Sequence, residues 1–595
     1  MRVLLISTYE LGHQPLHLAS PAAALEATGH RVRCIDLSVE QLDRDKIDWA
    51  EAVGVSVPMH TAMRLAMRAA AAARRARPEL PICLYGLYAP VSRDLTVGVL
   101  ADRVIAGEYE PGLVAWVDSL AQGGQAAAGP GEPLVHLGRG SFELPARDLL
   151  PPLERYAHLA IDGEERLVGY VEASHGCVHR CRHCPVPAVY DGRIRIVGQD
   201  VVLADIARLV AIGARHITFG DPDFLNGVRH SLRIVRAMHE RFPDLTFDCT
   251  TKVEHILEHE RVWEELAGAG CLFVVSALEG VNDEILERLD KGHTTEQASR
   301  AIALLRAHGI EIRPSFLPFT PWTTLDDVLD ILDFVAEHDL IGNVDPVQYT
   351  IRLLLPEGSL LLDHPELEAH LGPYDPELLT YTWTAADRKT DRLQARLATL
   401  VGQSVAAGEP IATIFSTVRA AAYEAAGRAD GPARRPEPVL CGSVEARPSR
   451  DHLEEAPRLR LGLLLDRYTP LRQPFPPLED ESVLPGFRCR ACTRALQEAR
   501  RRSGRLGGHP RKPRPAGLAA ERTSGRAHPR LGVEGRRGEP RERGRAHAPP
   551  GRARDVRPHP RQAPQAFTGD ADNPLSIVIE EVALRVAGNG DGASA

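Results

Sequence analysis

Residues 174–185 read S-H-G-C-V-H-R-C-R-H-C-P, and the spacing of the cysteines in this stretch decides how the rest of the chain is interpreted. Cys177, Cys181 and Cys184 form a C-x3-C-x2-C pattern, directly after an apolar run that is typical of a buried strand. A fully ligated electron-transfer cluster normally uses four cysteines. A compact group of three therefore predicts a 4Fe-4S cluster with one iron open to an exchangeable ligand.

A structural zinc site is the alternative interpretation of the same stretch. His175, His179 and His183 lie among the cysteines, and any one of them would complete a Cys3His ligand set. A disulfide is disfavoured, because the N-terminal segment does not resemble a secretory signal and a reducing compartment keeps thiols free.

Composition sets the broad class of protein. A chain of 595 residues with 44% hydrophobic content is expected to form two or three domains with large cores. Ten cysteines in this length are too few for a disulfide scaffold. No apolar stretch approaches the ~18 residues of a membrane span, so we expect a cytoplasmic protein that does not bind a membrane.

Two α/β regions are predicted from the alternation of strand-like and helix-like segments. Residues 1–125 indicate a doubly wound, Rossmann-like parallel sheet. Residues 126–165 are rich in glycine, proline and alanine and indicate a linker. Residues 166–355 contain six strand-like runs, the last being D-P-V-Q-Y-T-I-R-L-L-L at 345–355. They predict a partial (β/α)6 TIM barrel, with functional residues at the carboxyl ends of its strands.

The remainder of the chain is predicted to be helical and then disordered. Residues 356–495 show helical spacing and indicate a cap on the barrel. Residues 496–565 form a basic tail rich in arginine, glycine and proline, with 19 Lys or Arg against 5 Asp or Glu between residues 500 and 561. Such a segment cannot bury a core. Few aromatic residues accompany its charges, so nucleic-acid binding is disfavoured. Residues 566–595 form a short terminal segment.

A second group of cysteines lies late in the chain. Cys489 and Cys492 form a C-x2-C pair, and Cys441 precedes them. The group would suit an auxiliary cluster, a zinc ion or a redox dithiol, but without a fourth ligand unpaired thiols are the favoured interpretation.

The cysteine triplet and its surroundings resemble the signature of the radical S-adenosylmethionine (SAM) superfamily. In that family a 4Fe-4S cluster binds SAM at its open iron, and reductive cleavage of SAM yields a 5′-deoxyadenosyl radical. The resemblance implies an enzyme whose metal ligands are Cys177, Cys181 and Cys184. It also implies an external low-potential electron donor of the flavodoxin or ferredoxin type.

The same resemblance assigns SAM contacts at the strand ends. The position before the third cysteine usually packs on the adenine, and the turn after the second strand holds the amino group. The segment S-A-L-E-G-V-N-D-E-I-L-E-R-L-D-K-G-H resembles the one that contacts the ribose and carboxylate. The residues implied are His183 for the adenine, Gly220, Asp221 and Asp223 for the amino group, Ser276 and Glu279 for SAM, and Lys252 as a carboxylate partner or catalytic residue.

The segment 1–125 resembles the cobalamin-binding domain that precedes the core in many members of the superfamily. The matching positions are Ser56, Gly86, Gly107 and Glu108. The D-x-H-x-x-G motif that supplies a lower cobalt ligand is absent, and E-L-G-H-Q-P-L-H stands in its place. His13 and His17 are weak substitutes, and many cobalamin-dependent members lack the lower histidine.

Three stretches, T-Y-E-L-G-H-Q-P, C-R-H-C-P-V-P and T-K-V-E-H-I-L, resemble a bacterial subgroup named for a C-U-A-E-P or C-C-A-E-P tail, although that tail motif is not in this sequence. Two functions follow from these observations. The first is a radical SAM enzyme performing hydrogen abstraction or cobalamin-dependent radical methyl transfer. The second is a non-catalytic zinc protein whose basic tail binds nucleic acid. The residues do not identify the substrate.

Overall fold

The computed structural model describes residues 1–429, except for 92, 128–133, 139 and 162–163. The predictions for Cys441, Cys489 and Cys492, for the basic tail and for the terminal segment lie outside the described residues. Within the described part, no helix combines the length and apolarity that crossing a membrane requires.

The N-terminal region forms a six-stranded parallel sheet in the order β2-β1-β3-β4-β5-β6. Its elements are β1 (Arg2–Ser7), α1 (Leu16–Ala27), β2 (Arg31–Asp36), α2 (Arg44–Trp49), β3 (Ala52–Ser56), α3 (His60–Ala76), β4 (Ile82–Tyr85), α4 (Arg93–Thr96), β5 (Arg103–Gly107), α5 (Tyr109–Ala121) and β6 (Val135–His136). The predicted doubly wound sheet is confirmed. Because the strand order reverses at β1, a ligand crevice is expected between the carboxyl ends of β1 and β3.

The segment predicted as a linker contributes to both sheets. β6 pairs in parallel with β5 through residues Ala106 and Gly107. Its last strand, β7 (His158–Ile161), pairs antiparallel with the first barrel strand, β8 (Glu164–Val171). Both short strands cover the backbone groups of a sheet edge that would otherwise be unpaired. The segment predicted as a linker and bridge thus also adds one short strand to each sheet.

The second region is a partial barrel in the order β14-β13-β12-β11-β8-β7. Its elements after β8 are β9 (Ser174–Gly176), α6 (Val186–Tyr190), β10 (Ile194–Ile196), α7 (Gln199–Ala211), β11 (His216–Phe219), α8 (Val228–Arg241), β12 (Thr246–Thr250), α9 (Val253–Glu258), α10 (Trp263–Gly268), β13 (Cys271–Glu279), α11 (Asp283–Arg288), α12 (Thr295–Ala307), β14 (Glu311–Phe316) and α13 (Leu325–Glu337). β8 and β11–β14 are parallel, so their carboxyl ends share one edge. This confirms the predicted fold class.

The sixth predicted strand of the barrel is wrong. The run at 345–355 begins with a 3-10 helix at Pro346–Thr350 and contributes only an isolated bridge between Phe319 and Arg352. Asp345 caps this helix by accepting a hydrogen bond from the Val347 amide at 3.0 Å, and proline at the first helical position favours the turn. The sixth strand of the sheet is instead the antiparallel β7.

Residues 356–429, the described part of the predicted cap, are only partly helical. A hairpin of β15 (Leu371–Asp375) and β16 (Thr380–Trp383) precedes α14 (Arg388–Ala406) and α15 (Ile411–Ala425). The two helices pack against the barrel, burying Leu397 and Phe415 in its main core. Two helices of the predicted cap thus lie within the described residues, and the hairpin is an element that the helical prediction missed.

Candidate active site

The cysteine loop follows the first parallel strand of the barrel. After β8, the short strand β9 pairs antiparallel with β10 and ends at Gly176. Gly176 has φ +75°, and a Cβ there would lie 2.3 Å from the Arg193 carbonyl oxygen. Only glycine allows the turn that carries the chain from β9 into Cys177.

Cys177, Cys181 and Cys184 are free thiols on one loop, buried or half-buried. The loop is fixed by hydrogen bonds from the Arg182 amide to the Leu289 carbonyl at 2.9 Å and from the Cys184 amide to the Cys181 carbonyl at 3.1 Å. Burial raises the pKa of Cys177 and raises that of Cys184 to about 12. The thiols therefore favour their protonated form until a metal centre binds and displaces the protons.

The zinc interpretation lacks a ligand set. Nδ1 of His175 lies 3.1 Å from Glu108, Nε2 of His179 lies 3.6 Å from Asp223, and Nε2 of His183 lies 2.9 Å from Glu279. Among the described residues, the triplets of donor atoms that lie within 4.8 Å of one another do not include the three cysteines. Thiolates at about 2.3 Å from one zinc ion would be closer together. The wider spacing suits the separate irons of a 4Fe-4S cluster.

Glu279 and Lys291 form a buried ion pair beside the cysteines. Glu279 ends β13 with φ +65°, and its Oε1 lies 3.3 Å from Lys291 Nζ. Burial alone would raise the pKa of Glu279, but Lys291 and His183 lower it to about 2. Burial alone would lower the pKa of Lys291. The nearby Glu279 and Cys181 outweigh this effect, so the pKa of Lys291 is raised. Glu279 is thus an anion, held between a lysine and an imidazole.

Lys291 was not identified from the sequence. It lies in the predicted SAM segment, but nothing in that segment distinguishes it from a solvated lysine. The structure buries it next to the cysteine loop, where its charge lies in the field of Cys181 and Cys184.

Two further predicted SAM residues lie at this edge of the barrel. Ser276 is fully buried, and its Oγ has no hydrogen-bond partner among the described residues. Ser276 lies between Val274 and Leu278, which belong to the core between the sheet and its outer helices, so its side chain faces that core and not the barrel interior. Contact of Ser276 with SAM stays a prediction. Lys252 follows β12 and pairs with Glu254 at 3.1 Å. Its ammonium is therefore already compensated.

The turn after β11 is shaped by packing and by the cysteine loop. A Cβ on Gly220 would lie 1.9 Å from the Tyr170 hydroxyl oxygen, so only glycine fits there. Asp221 accepts hydrogen bonds from the Ala173 amide at 2.9 Å and the Ser174 hydroxyl at 2.6 Å. Burial raises the pKa of Asp221 to about 7. These contacts hold the base of the cysteine loop; amino-group binding by Gly220 and Asp221 stays a prediction.

Asp223 is shared by two histidines. It accepts a hydrogen bond from the Leu225 amide at 3.1 Å and lies 2.9 Å from Nδ1 of His255. Although burial opposes its charge, its contacts with His179 and His255 lower the pKa of Asp223. The donor atoms of these three residues lie within 4.8 Å of one another, a spacing that would also admit a metal ion. Binding of the SAM amino group by Asp223 stays a prediction.

The carboxyl edge of the N-terminal sheet carries unsatisfied hydroxyls. Ser7 ends β1 and Ser56 ends β3, and the Oγ of each is buried without a hydrogen-bond partner among the described residues. On the neighbouring strand end, Gly86 has φ +116°, and a Cβ there would lie 3.2 Å from the Val57 carbonyl. These donors flank the crevice between β1 and β3, and they fit a large polar ligand such as cobalamin.

The two substitute histidines differ in their contacts: His17 is paired through both ring nitrogens, whereas Nδ1 of His13 is buried without a hydrogen-bond partner among the described residues. His17 bonds to the Tyr109 hydroxyl at 2.8 Å through Nδ1, and its Nε2 lies 3.6 Å from Glu172. His13 packs on the Tyr170 ring with centroids 5.0 Å apart, and burial lowers its pKa to about 4. Both side chains join the two domains, a role that the sequence did not indicate.

The two candidate cofactor sites adjoin one another. Cys177 and Cys184 pack on a small apolar cluster that combines Val186 and Tyr190 of the cysteine loop with Ala106 of β5. The Tyr190 hydroxyl also donates a hydrogen bond to Glu108 at 3.0 Å. The cysteine loop therefore lies against the carboxyl edge of the N-terminal sheet.

Comparison with known families agrees with this arrangement. Residues 171–335 match the model of the radical SAM superfamily, and residues 2–117 match the B12 binding domain. The chain therefore contains a radical SAM domain and a B12 binding domain. It is an enzyme of the type that joins this core to a B12 binding domain, and its cofactors are a 4Fe-4S cluster, SAM and cobalamin. Its reaction requires a reductant and a substrate.

Curated relatives are distant. The chain is similar to an uncharacterized methyltransferase of Pyrococcus horikoshii, with 24% identity over 58% of this chain and 77% of the relative. It is also similar to the hopanoid C-3 methylase of Methylococcus capsulatus, with 24% identity over 52% of this chain and 62% of the relative. The chain thus spans less than two thirds of the second relative.

A solved structure shares the fold. The cobalamin-dependent radical SAM enzyme OxsB, with aqua-cobalamin bound, superposes with a TM-score of 0.54 at 15% identity and covers 68% of this chain and 67% of its own. The apo form of OxsB gives a TM-score of 0.55 at 16% identity, covering 71% of this chain and 72% of its own. At 15% and 16% identity, the similarity to OxsB shows a shared fold and nothing further.

Proposed function

We propose that this enzyme transfers a methyl group from SAM, through cobalamin, to an unactivated carbon or phosphorus atom. The observation that carries the proposal is the packing of Cys177 and Cys184 against the strand end at Ala106. A radical generated at the cysteine loop and a methyl group held at the sheet edge would then reach the same substrate. The names of the two curated relatives, a methyltransferase and a methylase, support this reaction.

The chain's own residues would prepare the site for SAM. We propose that Glu279, fixed by Lys291, accepts a hydrogen bond from SAM. His183 would lie beside the adenine while its Nε2 holds Glu279. When bound, the cluster, SAM and cobalamin supply an adenosyl radical and a transferable methyl group. The burial of these side chains would exclude water from that chemistry.

An electron must reach the cluster from outside the chain. We propose a flavodoxin or ferredoxin as the donor, because superfamily clusters require a low-potential electron. The seven described cysteines are all free thiols, which supports a reducing, cytoplasmic location.

Anaerobic reconstitution tests the proposal. The wild-type protein is expected to bind about four irons and, with SAM and dithionite, to release 5′-deoxyadenosine. Cys181→Ala should lose both properties. Cys249→Ala, which changes a buried cysteine of β12 outside the loop, should retain them. Cleavage that survives in Cys181→Ala would overturn the cluster assignment.

Methyl transfer from SAM can be distinguished from hydrogen abstraction by the product that SAM leaves. S-adenosylhomocysteine should form only when cobalamin is present, because the methyl group then has an acceptor. Release of 5′-deoxyadenosine without S-adenosylhomocysteine would instead indicate hydrogen abstraction without methyl transfer.

A further inference from the structure

The concave face of the barrel carries polar side chains that the reaction described above does not use. On β14, Ile312 and Phe316 belong to the core between the sheet and its outer helices. Side chains alternate between the two faces of a strand, so Arg313 and Ser315 lie on the concave face. The Arg313 guanidinium carbon lies 5.8 Å from the centre of the Phe273 ring, on the neighbouring strand β13. Arg313 therefore points into the barrel.

Arg313 is an uncompensated cation. It is half-buried, and it forms no hydrogen bond or ion pair with any residue that the structure describes. Other interior arginines are paired: Arg147 lies 2.8 Å from Asp205, and Arg352 lies 2.7 Å from Asp391. Burial lowers the pKa of Arg313, and nearby carboxylates only partly offset the effect. An interior guanidinium without partners is costly unless a ligand supplies them.

The two nearest carboxylates already have partners. Asp248 accepts hydrogen bonds from His216 and Thr218, at 2.8 Å and 2.7 Å. Asp345 caps the turn at Val347. Neither forms an ion pair with Arg313, so the five donors of the guanidinium remain available.

The N-terminal domain faces the same space. His13, in the loop after β1, packs on Tyr170 of β8 and lies in the field of Asp248 and His216. Tyr9, in the same loop, lies in the field of Asp345. The interior that holds Arg313 is thus bordered by both domains, as a substrate site between cobalamin and SAM would be.

Arg313 lies deeper than the residues assigned to SAM. It leans toward Phe273, which precedes Glu279 by six residues on β13, or roughly 20 Å of extended strand. The SAM carboxylate, expected near Glu279 at the end of β13, is therefore not its natural partner.

We propose that Arg313 binds an anionic group of the substrate, a carboxylate or a phosphoryl group, and anchors the substrate in the barrel. The planar guanidinium binds either oxyanion through two parallel hydrogen bonds. The anionic end would lie deep, and the atom to be methylated would lie toward the cysteine loop. The inference rests on the proposed function in one respect: it takes the bound anion to be part of the molecule that accepts the methyl group.

Equilibrium dialysis of the reconstituted holoenzyme, with SAM bound to fill its own carboxylate site, tests this assignment. The probes are radiolabelled orthophosphate and acetate, with acetamide as the neutral analogue. Wild type should bind at least one anion and not acetamide. Preference for phosphate would indicate a phosphoryl group, and preference for acetate a carboxylate. Arg313→Gln should weaken binding at least tenfold, since a hydrogen bond to a charged group is lost.

Two further variants sharpen the result. Arg313→Lys keeps the charge without the bidentate geometry and should weaken binding several-fold, which keeps the test decisive if Arg313→Gln fails to fold. Arg306→Gln changes an arginine already paired with Glu311 at 3.1 Å and should bind like wild type.

Two outcomes would overturn the assignment: no binding of either anion by wild type, or equal binding by wild type and both Arg313 variants. The readout is independent of SAM turnover. If cobalamin-dependent S-adenosylhomocysteine fails to form while anion binding depends on Arg313, the proposed function fails and the anion site stands.

Discussion

Glu279 shows how single residues prepare the site. Its positive φ and its contacts with Lys291 and His183 hold a buried carboxylate at the end of β13. The buried Lys291 beside it compensates the charge. Such a pair is fragile, because removing one member leaves the other buried without a counter-charge.

Replacing Lys291 should therefore be strongly destabilising. Lys291→Met is expected to lower the free energy of unfolding by about 3 kcal/mol, measured by chemical denaturation of the apo-protein. Lys389→Met, which removes an exposed lysine of α14, should cost less than about 1 kcal/mol. Equal losses in the two variants would contradict the buried pair.

His13 should make stability depend on pH. Burial lowers its folded-state pKa to about 4, whereas the unfolded chain titrates near its usual 6.5. The unfolded state binds the proton more tightly, so this contribution is complete above pH 6.5 and is lost as pH falls toward 4. His13→Phe should keep the contact with Tyr170 and flatten the fall of Tm between pH 6.5 and 5. An unchanged slope would show that His13 is not held neutral.

At the scale of elements, the cysteine loop depends on the turn at its start. Gly176→Ala should reduce the iron content at least twofold, because the added Cβ meets the Arg193 carbonyl and the residue must keep a positive φ. Gly268→Ala is the matched control, since nothing lies within 4 Å of its added Cβ. Iron analysis of both variants checks the prediction, and full occupancy in Gly176→Ala would refute it.

The crevice of the N-terminal sheet gives a second test of an element. Ser56→Phe should weaken cobalamin binding at least tenfold, because the ring would fill the space beside the unpaired hydroxyls at the ends of β1 and β3. Ser416→Phe, on the exposed face of α15, should leave binding unchanged. Titration followed by visible absorption measures both, and iron content reports whether the barrel is intact. Normal binding in Ser56→Phe would place cobalamin elsewhere.

Strands could be predicted from the sequence where an apolar run is the only pattern in the segment. The apolar runs of β1 and β13 have no competing signal, and both form strands. The run at 345–355 is as apolar, but Asp345 and Pro346 begin a helical turn that overrides it. The sequence contains no pattern that predicts β6. This strand has only two residues, and it forms because the edge of the N-terminal sheet is available for pairing.

For the whole molecule, sequence reasoning found the cofactor classes and missed the contacts between distant segments. Spacing predicts Cys177, Cys181 and Cys184 as ligands because they are close in the chain. The pairing of His183 with Glu279 joins residues that are 96 positions apart, and that of His175 with Glu108 spans 67. The first pairing exists only once the barrel has folded, and the second only once the two domains have packed against each other. They carry no local pattern in the sequence.

The central claim is that one chain holds a radical-generating cluster and cobalamin at adjoining sites. The most direct test is anaerobic reconstitution of the full chain, with iron and cobalamin quantified on the same sample and both SAM products measured under reduction. The account predicts about four irons and one cobalamin per chain, with 5′-deoxyadenosine and cobalamin-dependent S-adenosylhomocysteine both formed. A protein that assembles the cluster and cleaves SAM but binds no cobalamin would contradict it.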